Sequence, residues 1–217
     1  MDVKQSSEKD NMETPLISDT IRGTMEGMIS IAVQDSHAEV ECKVLSGQIR
    51  TKDELDRIVD SLEDLQEIQE EHRATFIYPD GLRVTVKGAD NILKVCNSNS
   101  FNNIPLQVER KRKYYDVPGK IQTNTNIGAS SSAFVDVVDV PELKLRCTLR
   151  HEEPLKKDFG GSPMDPASHV RVMHRRSWTD GIYRVDISMV KTKQSHHKTM
   201  SEILRQQPSY EVEVELV

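Results

Sequence analysis

The chain has 217 residues, with 35 acidic side chains against 29 Lys and Arg and a formal net charge of -6. This acidic balance argues against a protein that coats duplex DNA, but it permits a nucleic-acid end held in a local basic pocket. Hydrophobic residues make up only 36%, no apolar run is long enough for a transmembrane helix, and the polar N-terminus lacks the apolar segment of a secretory signal, so we expect neither a membrane protein nor a secreted one.

The N-terminal half contains one clear helix and one clear hairpin. Residues 1–14 are polar and predict a disordered tail in front of a single domain over 15–217, and residues 15–33 fit a helix that leads to the first strand. Thr51 and Glu54 form a capping-box pattern, and apolar residues at helical spacing behind them predict a helix that 66–73 complete. The segment TFIYPDGLRVTVKG predicts a hairpin with its turn at 79–81, and a short helix follows around 89–97, between loops at 97–104 and 118–132.

The C-terminal half is predicted to be mostly β. The strand-like segments are AFVDVVDV, LKLRCTLRHEEP, VRVMHRRSW and YRVDISMVKT, with a turn at Asp180-Gly181. A second capping-box pattern, Thr199 and Glu202, opens a short helix, and YEVEVELV forms the last strand.

The three cysteines, Cys42, Cys96 and Cys147, lie far apart and form no CxxC pair. This argues against a disulfide framework and a cysteine zinc module, and it is typical of a reducing compartment. The pair His196-His197 could suggest zinc, but the absence of a nearby cysteine argues against it.

Four strands alternate apolar residues with a polar face that is almost entirely charged. These faces carry Glu39, Glu41 and Lys43; Lys144, Arg146, Thr148, Arg150 and Glu152; Arg184, Asp186 and Ser188; and Glu211, Glu213 and Glu215. An antiparallel sheet with one solvated face is the ordinary explanation for such alternation. A closed barrel with a hydrated, polar interior also fits, because small barrels can enclose a ligand. Acidic clusters bind Mg²⁺ or Mn²⁺ and basic clusters bind phosphates, so both signs in one cavity indicate a metal–polyphosphate site.

The two glutamate strands, with Glu39 and Glu41 early and Glu211, Glu213 and Glu215 late, resemble those of the triphosphate tunnel metalloenzymes. Within that superfamily the chain is similar to the RNA 5′-triphosphatases of fungi, protozoa and large DNA viruses. The middle motifs agree: Arg184, Asp186 and Ser188 resemble an Arg-x-Asp-x-Thr strand, and Arg146 precedes a Glu-x-Pro segment that begins at Glu152. The resemblance covers roughly residues 36–217.

The resemblance implies a mostly β fold, a closed antiparallel eight-stranded barrel with a few flanking helices. It implies a phosphatase that removes the γ-phosphate from triphosphate-ended nascent RNA, the first step of mRNA capping, and hydrolyses nucleoside triphosphates with manganese. The cofactor would be Mg²⁺ or Mn²⁺. A separate guanylyltransferase would be a partner, and the enzyme would work in the nucleus or in a viral factory.

The resemblance also assigns roles to residues. Glu39, Glu41 and Glu215 would hold the metal, and Glu152 or Glu213 would orient the attacking water. Arg146, Arg175 and Arg184 would clamp the phosphates, with further phosphate ligands among Arg171, Arg176, Lys144, Arg83 and Lys111. The supporting residues would be Asp186, Glu211 and Ser188. The chain has Met173 where the family often has Lys, so that phosphate contact is either lost or supplied by Arg171 or Arg176.

Three alternative functions compete with this one. A capping guanylyltransferase needs a nucleophilic lysine in K-x-D-G, and neither Asp80-Gly81 nor Asp180-Gly181 has one. An inorganic tripolyphosphatase or another small-molecule triphosphatase would use the same tunnel, and Glu39, Glu41 and Lys43 echo the ExExK of that branch. A non-catalytic RNA-binding module would carry the same charged strands on its surface.

Overall fold

A computed structural model describes residues 17–120, 135–156, 167, 169–194 and 199–217. The predicted tail, most of the loop at 118–132 and the pair His196-His197 therefore lie outside the described residues. The described helices are α1 (Asp19–Gln34), α2 (Lys52–Asp60), α3 (Ala89–Ser98) and α4 (Met200–Leu204). The described strands are β1 (Ala38–Val44), β2 (Gln66–Ile77), β3 (Leu82–Lys87), β4 (Leu106–Lys113), β5 (Val137–Val140), β6 (Leu145–Pro154), β7 (His169–Thr179), β8 (Tyr183–Gln194) and β9 (Ser209–Leu216).

Eight of the described strands close into an antiparallel barrel, which confirms the predicted fold class. The strands follow the order β1, β9, β8, β7, β2, β3, β4, β6, and β6 pairs with β1 to close the ring. The short β5 pairs with β6 only, beside the closure. None of the described helices combines the length and the apolar character needed to cross a membrane.

The apolar core lies outside the barrel wall, between the strands and the helices. Three clusters of buried side chains cover the wall: α3 and α4 pack around Phe76, α2 packs around Trp178, and α1 packs around Leu149. The polar faces of the strands are therefore left to point into the barrel. This arrangement explains why the chain folds with so low a hydrophobic fraction.

The first capping box forms as predicted, but the helix behind it is shorter than predicted. The Glu54 backbone N–H donates to the Thr51 hydroxyl and the Glu54 carboxylate accepts from the Thr51 N–H. The helix ends at Asp60, and 66–73 belong to β2, so the prediction of helix there is wrong. At the second predicted box, the side chain of Thr199 makes no cap hydrogen bond to the described residues.

The predicted hairpin is confirmed, with Gly81 at a position where glycine is required. Its φ of +72° is in the left-handed region, and a side chain there would collide with the backbone carbonyl of Lys111. This turn therefore lets β4 approach the β2–β3 connection closely. Lys111 itself lies on β4, a strand of the barrel.

Cys42 and Cys147 form a disulfide in the structure, which corrects the expectation of separate thiols. They face each other in register on β1 and β6, at the strand pair that closes the barrel. The separation along the chain gave no sign of this, because only the pairing of β1 with β6 brings the two residues together. Cys96 is the free cysteine of the described residues.

Candidate metal and polyphosphate site

The barrel encloses a cavity of about 410 Å³, which we call the lumen. Among the described residues that line it, acids and bases are balanced, with seven of each. The acids are Glu39, Glu41, Glu109, Glu152, Asp186, Glu213 and Glu215, and the bases are Arg73, Arg83, Lys87, Lys111, Arg171, Arg175 and Arg184. The lumen is thus formally neutral when both sets are ionised.

Three carboxylates from the first and last strands converge in the lumen. Glu41 on β1 lies opposite Glu215 on β9 in the sheet register, and Glu39 lies two residues before Glu41 on the same face. One carboxylate oxygen from each of these residues lies within 4.8 Å of the others. We call this group the carboxylate trio. A second group with the same spacing, Asp186, Glu213 and Glu215, shares Glu215 with it.

The ammonium of Lys111 lies beside the carboxylate trio. Its Nζ is 2.5 Å from Glu39, 3.2 Å from Glu41 and 2.7 Å from Glu152. Burial, together with the charges of Glu152 and Glu215, raises the pKa of Glu39 to about 8 against the opposing effect of Lys111. A single ammonium therefore does not compensate the negative charge collected here.

The donor set of the trio fits a hard divalent cation. Mg²⁺ and Mn²⁺ are bound through oxygen, and all three side chains offer carboxylate oxygens close together. The raised pKa of Glu39 is a second indication, because burial and the charges of Glu152 and Glu215 outweigh the single ammonium of Lys111, so the cluster has room for a further cation. Glu39, Glu41 and Glu215 are therefore the residues that would hold such an ion.

A buried ionic network on β7, β8 and β9 lies next to the carboxylate trio. The Arg175 guanidinium donates to Asp186 at 2.7 Å, to Glu213 at 2.8 Å and to the Ser188 hydroxyl at 3.2 Å. The second oxygen of Glu213 accepts from Lys43 at 2.8 Å. Although burial acts to raise it, Lys43 and Arg175 hold the pKa of Glu213 at about 2, so this carboxylate stays ionised.

Arg184 and Arg73 place two further guanidiniums in the lumen. Arg184 pairs with Glu215 and with Asp186, and about a third of its side chain remains exposed. Arg73 pairs with Glu71, while its buried Nε has no hydrogen-bond partner among the described residues. Burial, together with the nearby charge of Arg175, lowers the pKa of Arg73 to about 10. These guanidiniums can accept an anion from within the cavity.

Most of the residues predicted for the site line the lumen. They are Glu39, Glu41, Glu152, Glu213, Glu215, Asp186, Arg83, Lys111, Arg171, Arg175 and Arg184. Two supporting candidates contact this set, since Ser188 accepts from Arg175 and Glu211 accepts from Arg171 and Lys43. Met173 also lines the lumen, and Arg171, not Arg176, supplies a cation beside it on β7.

Three predicted phosphate ligands lie elsewhere. Arg176 points to the outside of the barrel, where it pairs with Glu67 and lies over the Trp178 ring. Lys144 is exposed at a turn before β6 with a φ of 53° and does not line the lumen. Arg146 forms a half-exposed ion pair with Asp139 and lines a neighbouring cavity instead. Arg176 faces outward because side chains alternate along β7 and its neighbour Arg175 faces inward. Lys144 lies just before the first residue of β6. Arg146 is held by Asp139 of the neighbouring strand β5.

The sequence reasoning missed Arg73, Glu109 and Lys87 as lumen residues. The sequence predicts a helix over 66–73, but in the structure Arg73 lies on β2 opposite Met173 of β7, so it supplies a cation where the lysine is missing. The alternation of Arg73, Thr75 and Ile77 with Ala74 and Phe76 was the available signal. Glu109 was missed because β4 was not recognised as a strand.

Solved structures of RNA triphosphatases have the same fold as this chain. No protein-family model and no curated protein sequence matches the chain. The RNA triphosphatase domain of the trifunctional mimivirus mRNA capping enzyme matches with a TM-score of 0.65 at 14% identity, over 94% of this chain and 91% of that one. The Schizosaccharomyces pombe Pct1 RNA triphosphatase matches with a TM-score of 0.55 at 15% identity, over 97% of this chain and 84% of that one. The chain therefore has the closed-barrel fold found in these RNA triphosphatases.

Proposed function

We propose that the chain is a metal-dependent RNA 5′-triphosphatase, a hydrolase that removes the γ-phosphate from triphosphate-ended RNA to leave a diphosphate end. The observation that carries the proposal is the carboxylate trio and the lumen guanidiniums inside one closed barrel. The shared fold with the mimivirus and S. pombe enzymes supports it. In this role the protein would act before a separate guanylyltransferase in mRNA capping, in the nucleus or in a viral factory.

The charge balance of the lumen favours binding of the triphosphate together with a cation. With seven acids and seven bases, the lined cavity has at most one surplus positive charge, when Glu39 is protonated, to offset a triphosphate. Unpaired buried charge is costly, so the negative charge of the substrate needs an added cation. A Mg²⁺ or Mn²⁺ ion held by the trio would neutralise charge that develops on the γ-phosphate.

The basic side chains of the lumen would position the phosphates. Arg184 and Arg73 present planar donors that suit phosphate oxygens, and Arg175 is fixed in place by Asp186 and Glu213. Lys111 lies next to the trio, so its ammonium is placed to contact the same phosphate. Holding the phosphates in line is the main contribution that a protein makes to phosphoryl transfer.

Glu152 is better placed than Glu213 to orient the attacking water. Both oxygens of Glu213 are occupied, one by Lys43 and the other by Arg175, and its side chain is 6% exposed. Glu152 is 30% exposed, and its neighbours, chiefly Lys111, lower its pKa against the effect of burial, so it is ionised at neutral pH. An ionised, accessible carboxylate can accept a hydrogen bond from water.

The test is phosphate release from a 5′-triphosphate RNA with Mg²⁺, with Mn²⁺ and with a chelator. We expect release only with a divalent cation, and an RNA product that ends in a diphosphate. Turnover that is unaffected by the chelator would refute the metal assignment. A protein that binds the RNA without releasing phosphate would be the non-catalytic module.

Inorganic tripolyphosphate is the second candidate substrate. The observation that favours it is Lys43, which lies at the end of the glutamate strand β1 and bonds Glu211 and Glu213. The same assay with inorganic tripolyphosphate separates the two functions. We expect a higher kcat/KM for the RNA triphosphate than for tripolyphosphate.

A further inference from the structure

A second cavity of about 320 Å³ adjoins the lumen where β1 ends and β6 begins, and we call it the mouth cavity. Glu41, Arg83 and Lys111 line both cavities, so the two spaces are adjacent along a shared wall. Its volume lies within the range of about 300–1,000 Å³ that is typical of small-ligand sites. A chain anchored by its end in the lumen could therefore continue into it.

The mouth cavity differs from the lumen in its charge. Five cations line it, Lys43, Arg83, Lys111, Arg146 and Arg150, against the single carboxylate of Glu41. Lys43, Lys111 and Arg146 are each paired with carboxylates. Arg83 and Arg150 form no ion pair within the part of the chain that the structure describes. The mouth cavity therefore offers two guanidiniums to an anion, whereas the lumen is balanced.

We propose that the mouth cavity binds the phosphodiester backbone of the first nucleotides that follow the RNA triphosphate. This inference rests on the proposed function and adds the direction of the substrate: the RNA enters at the end of the barrel where β6 begins. Each phosphodiester carries one negative charge, and successive phosphodiesters are spaced along the chain. Separate guanidiniums therefore match an RNA backbone better than they match the concentrated charge of a second triphosphate.

The lining also predicts that the bases are not read. No aromatic side chain lines the mouth cavity among the described residues, so bases have no ring to stack on there. Contacts limited to phosphates give binding that depends on salt and not on sequence. The mouth cavity should thus distinguish an RNA from a free nucleotide but not one RNA sequence from another.

The experiment compares a free nucleoside triphosphate with two five-nucleotide 5′-triphosphate RNAs of different sequence. We expect the wild-type protein to have a KM about fivefold or more lower for both RNAs than for the nucleotide, with the difference shrinking as salt rises. Arg150→Ala should raise the KM for RNA about fivefold relative to that for the nucleotide, as loss of one charge-assisted hydrogen bond allows. Arg150→Lys should retain part of the difference.

Arg176→Gln is the matched control, because it also removes one guanidinium but from the outer face of the barrel. It should leave the ratio of the two KM values unchanged. Equal KM values for nucleotide and RNA in the wild-type protein, or an Arg150→Ala ratio like that of the parent, would overturn the inference. No phosphate release from any triphosphate would instead refute the proposed function, so the two failures are distinguishable.

Discussion

The side chains of the carboxylate trio repel one another, and Lys111 offsets only part of that repulsion. We predict that Glu39→Gln, Glu41→Gln or Glu215→Gln lowers kcat by about 100-fold or more while the fold survives, because each would remove a ligand of the proposed metal ion. Without metal, the Tm of Glu41→Gln and Glu215→Gln should equal or exceed that of the parent, since one like charge is gone, and Glu39→Gln should match the parent at neutral pH because Glu39 there holds its proton. Phosphate release and thermal denaturation with and without Mn²⁺ measure both effects.

Glu153→Gln is the control for the trio variants, because Glu153 is an exposed carboxylate on β6 that does not line the lumen. It should retain full activity and the stabilisation by Mn²⁺. A trio variant with parental kcat would remove that residue from the metal site.

The guanidinium of Arg184 should not be replaceable by an ammonium. Its Nε and Nη2 reach Asp186 and Glu215 together, a planar arrangement that a lysine cannot reproduce. We predict that Arg184→Lys lowers kcat by about tenfold or more, which steady-state kinetics with a 5′-triphosphate RNA would show. Arg176→Lys, at the outer face, should match the parent, and so would Arg184→Lys if only charge mattered.

The carboxylate of Asp35 ties the end of α1 to the segment after β4. It accepts from the Tyr114 hydroxyl at 3.0 Å and from Lys120 at 2.5 Å. Burial acts to raise its pKa, but these donors and the His37 N–H hold it at about 2, below the ordinary 3.8. Because the folded pKa is depressed, the stabilisation is complete above pH 4 and is lost as the pH falls towards 2.

Asp35→Asn should therefore lower the free energy of unfolding at pH 7 and flatten its dependence on pH between 4 and 2. Urea denaturation at several pH values measures this. Asp19→Asn, at the exposed first turn of the same helix, is the control and should follow the parent. A parental slope for Asp35→Asn would show that the carboxylate does not link stability to pH.

Sequence alternation located the strands that have one apolar and one charged face. β1, β8 and β9 were predicted because Val40, Val185 and Val212 pack outside while their neighbours point inward. The strand over 66–73 was not predicted, because a capped helix with an apolar face directly precedes it. On the outer face of this strand Glu67 and Glu70 pair with Arg176 and His174, so the sequence there lacks the apolar alternation typical of a strand. β4 failed for the same reason, since its last four residues are all basic.

The sequence predicts the type of site, a carboxylate cluster with basic side chains, but not all of the residues that form it. The alternation of side chains along two predicted strands put Glu39 and Glu41, and separately Glu215, on the charged face, and closure of the barrel brings the three together. The same alternation places Arg176 on the face of β7 opposite to Arg175, so Arg175 and Arg176 cannot both bind phosphate in the lumen. The position of Arg146 could not be read from the sequence, because it depends on Asp139 of β5.

At the scale of the whole molecule, the network of lumen cations predicts selectivity for a triphosphate end. Arg73, Arg175 and Arg184 come from three strands and line one cavity. A single phosphate could reach only some of them, whereas a triphosphate offers oxygens to several guanidiniums at once. We predict no phosphate release from 5′-monophosphate RNA, and release from nucleoside triphosphates with Mn²⁺.

The measurement is a direct comparison of phosphate release from RNAs that differ only in the 5′ end. Comparable turnover of the monophosphate and triphosphate ends would contradict the role assigned to the guanidiniums. In Glu152→Gln, binding of the triphosphate RNA should be retained, while kcat should fall by a factor of about 10² or more.

The pairing of β1 with β9 joins the first and last described strands of the barrel. During synthesis on the ribosome, Glu39 and Glu41 emerge early, but Glu215 reaches them only when β9 has left the exit tunnel. Contacts this distant along the chain also slow folding, because a large loop must close before they form. A chain that lacks β9 therefore has neither a closed barrel nor the carboxylate trio, so any Mn²⁺ binding through the trio should appear only after β9 has been made.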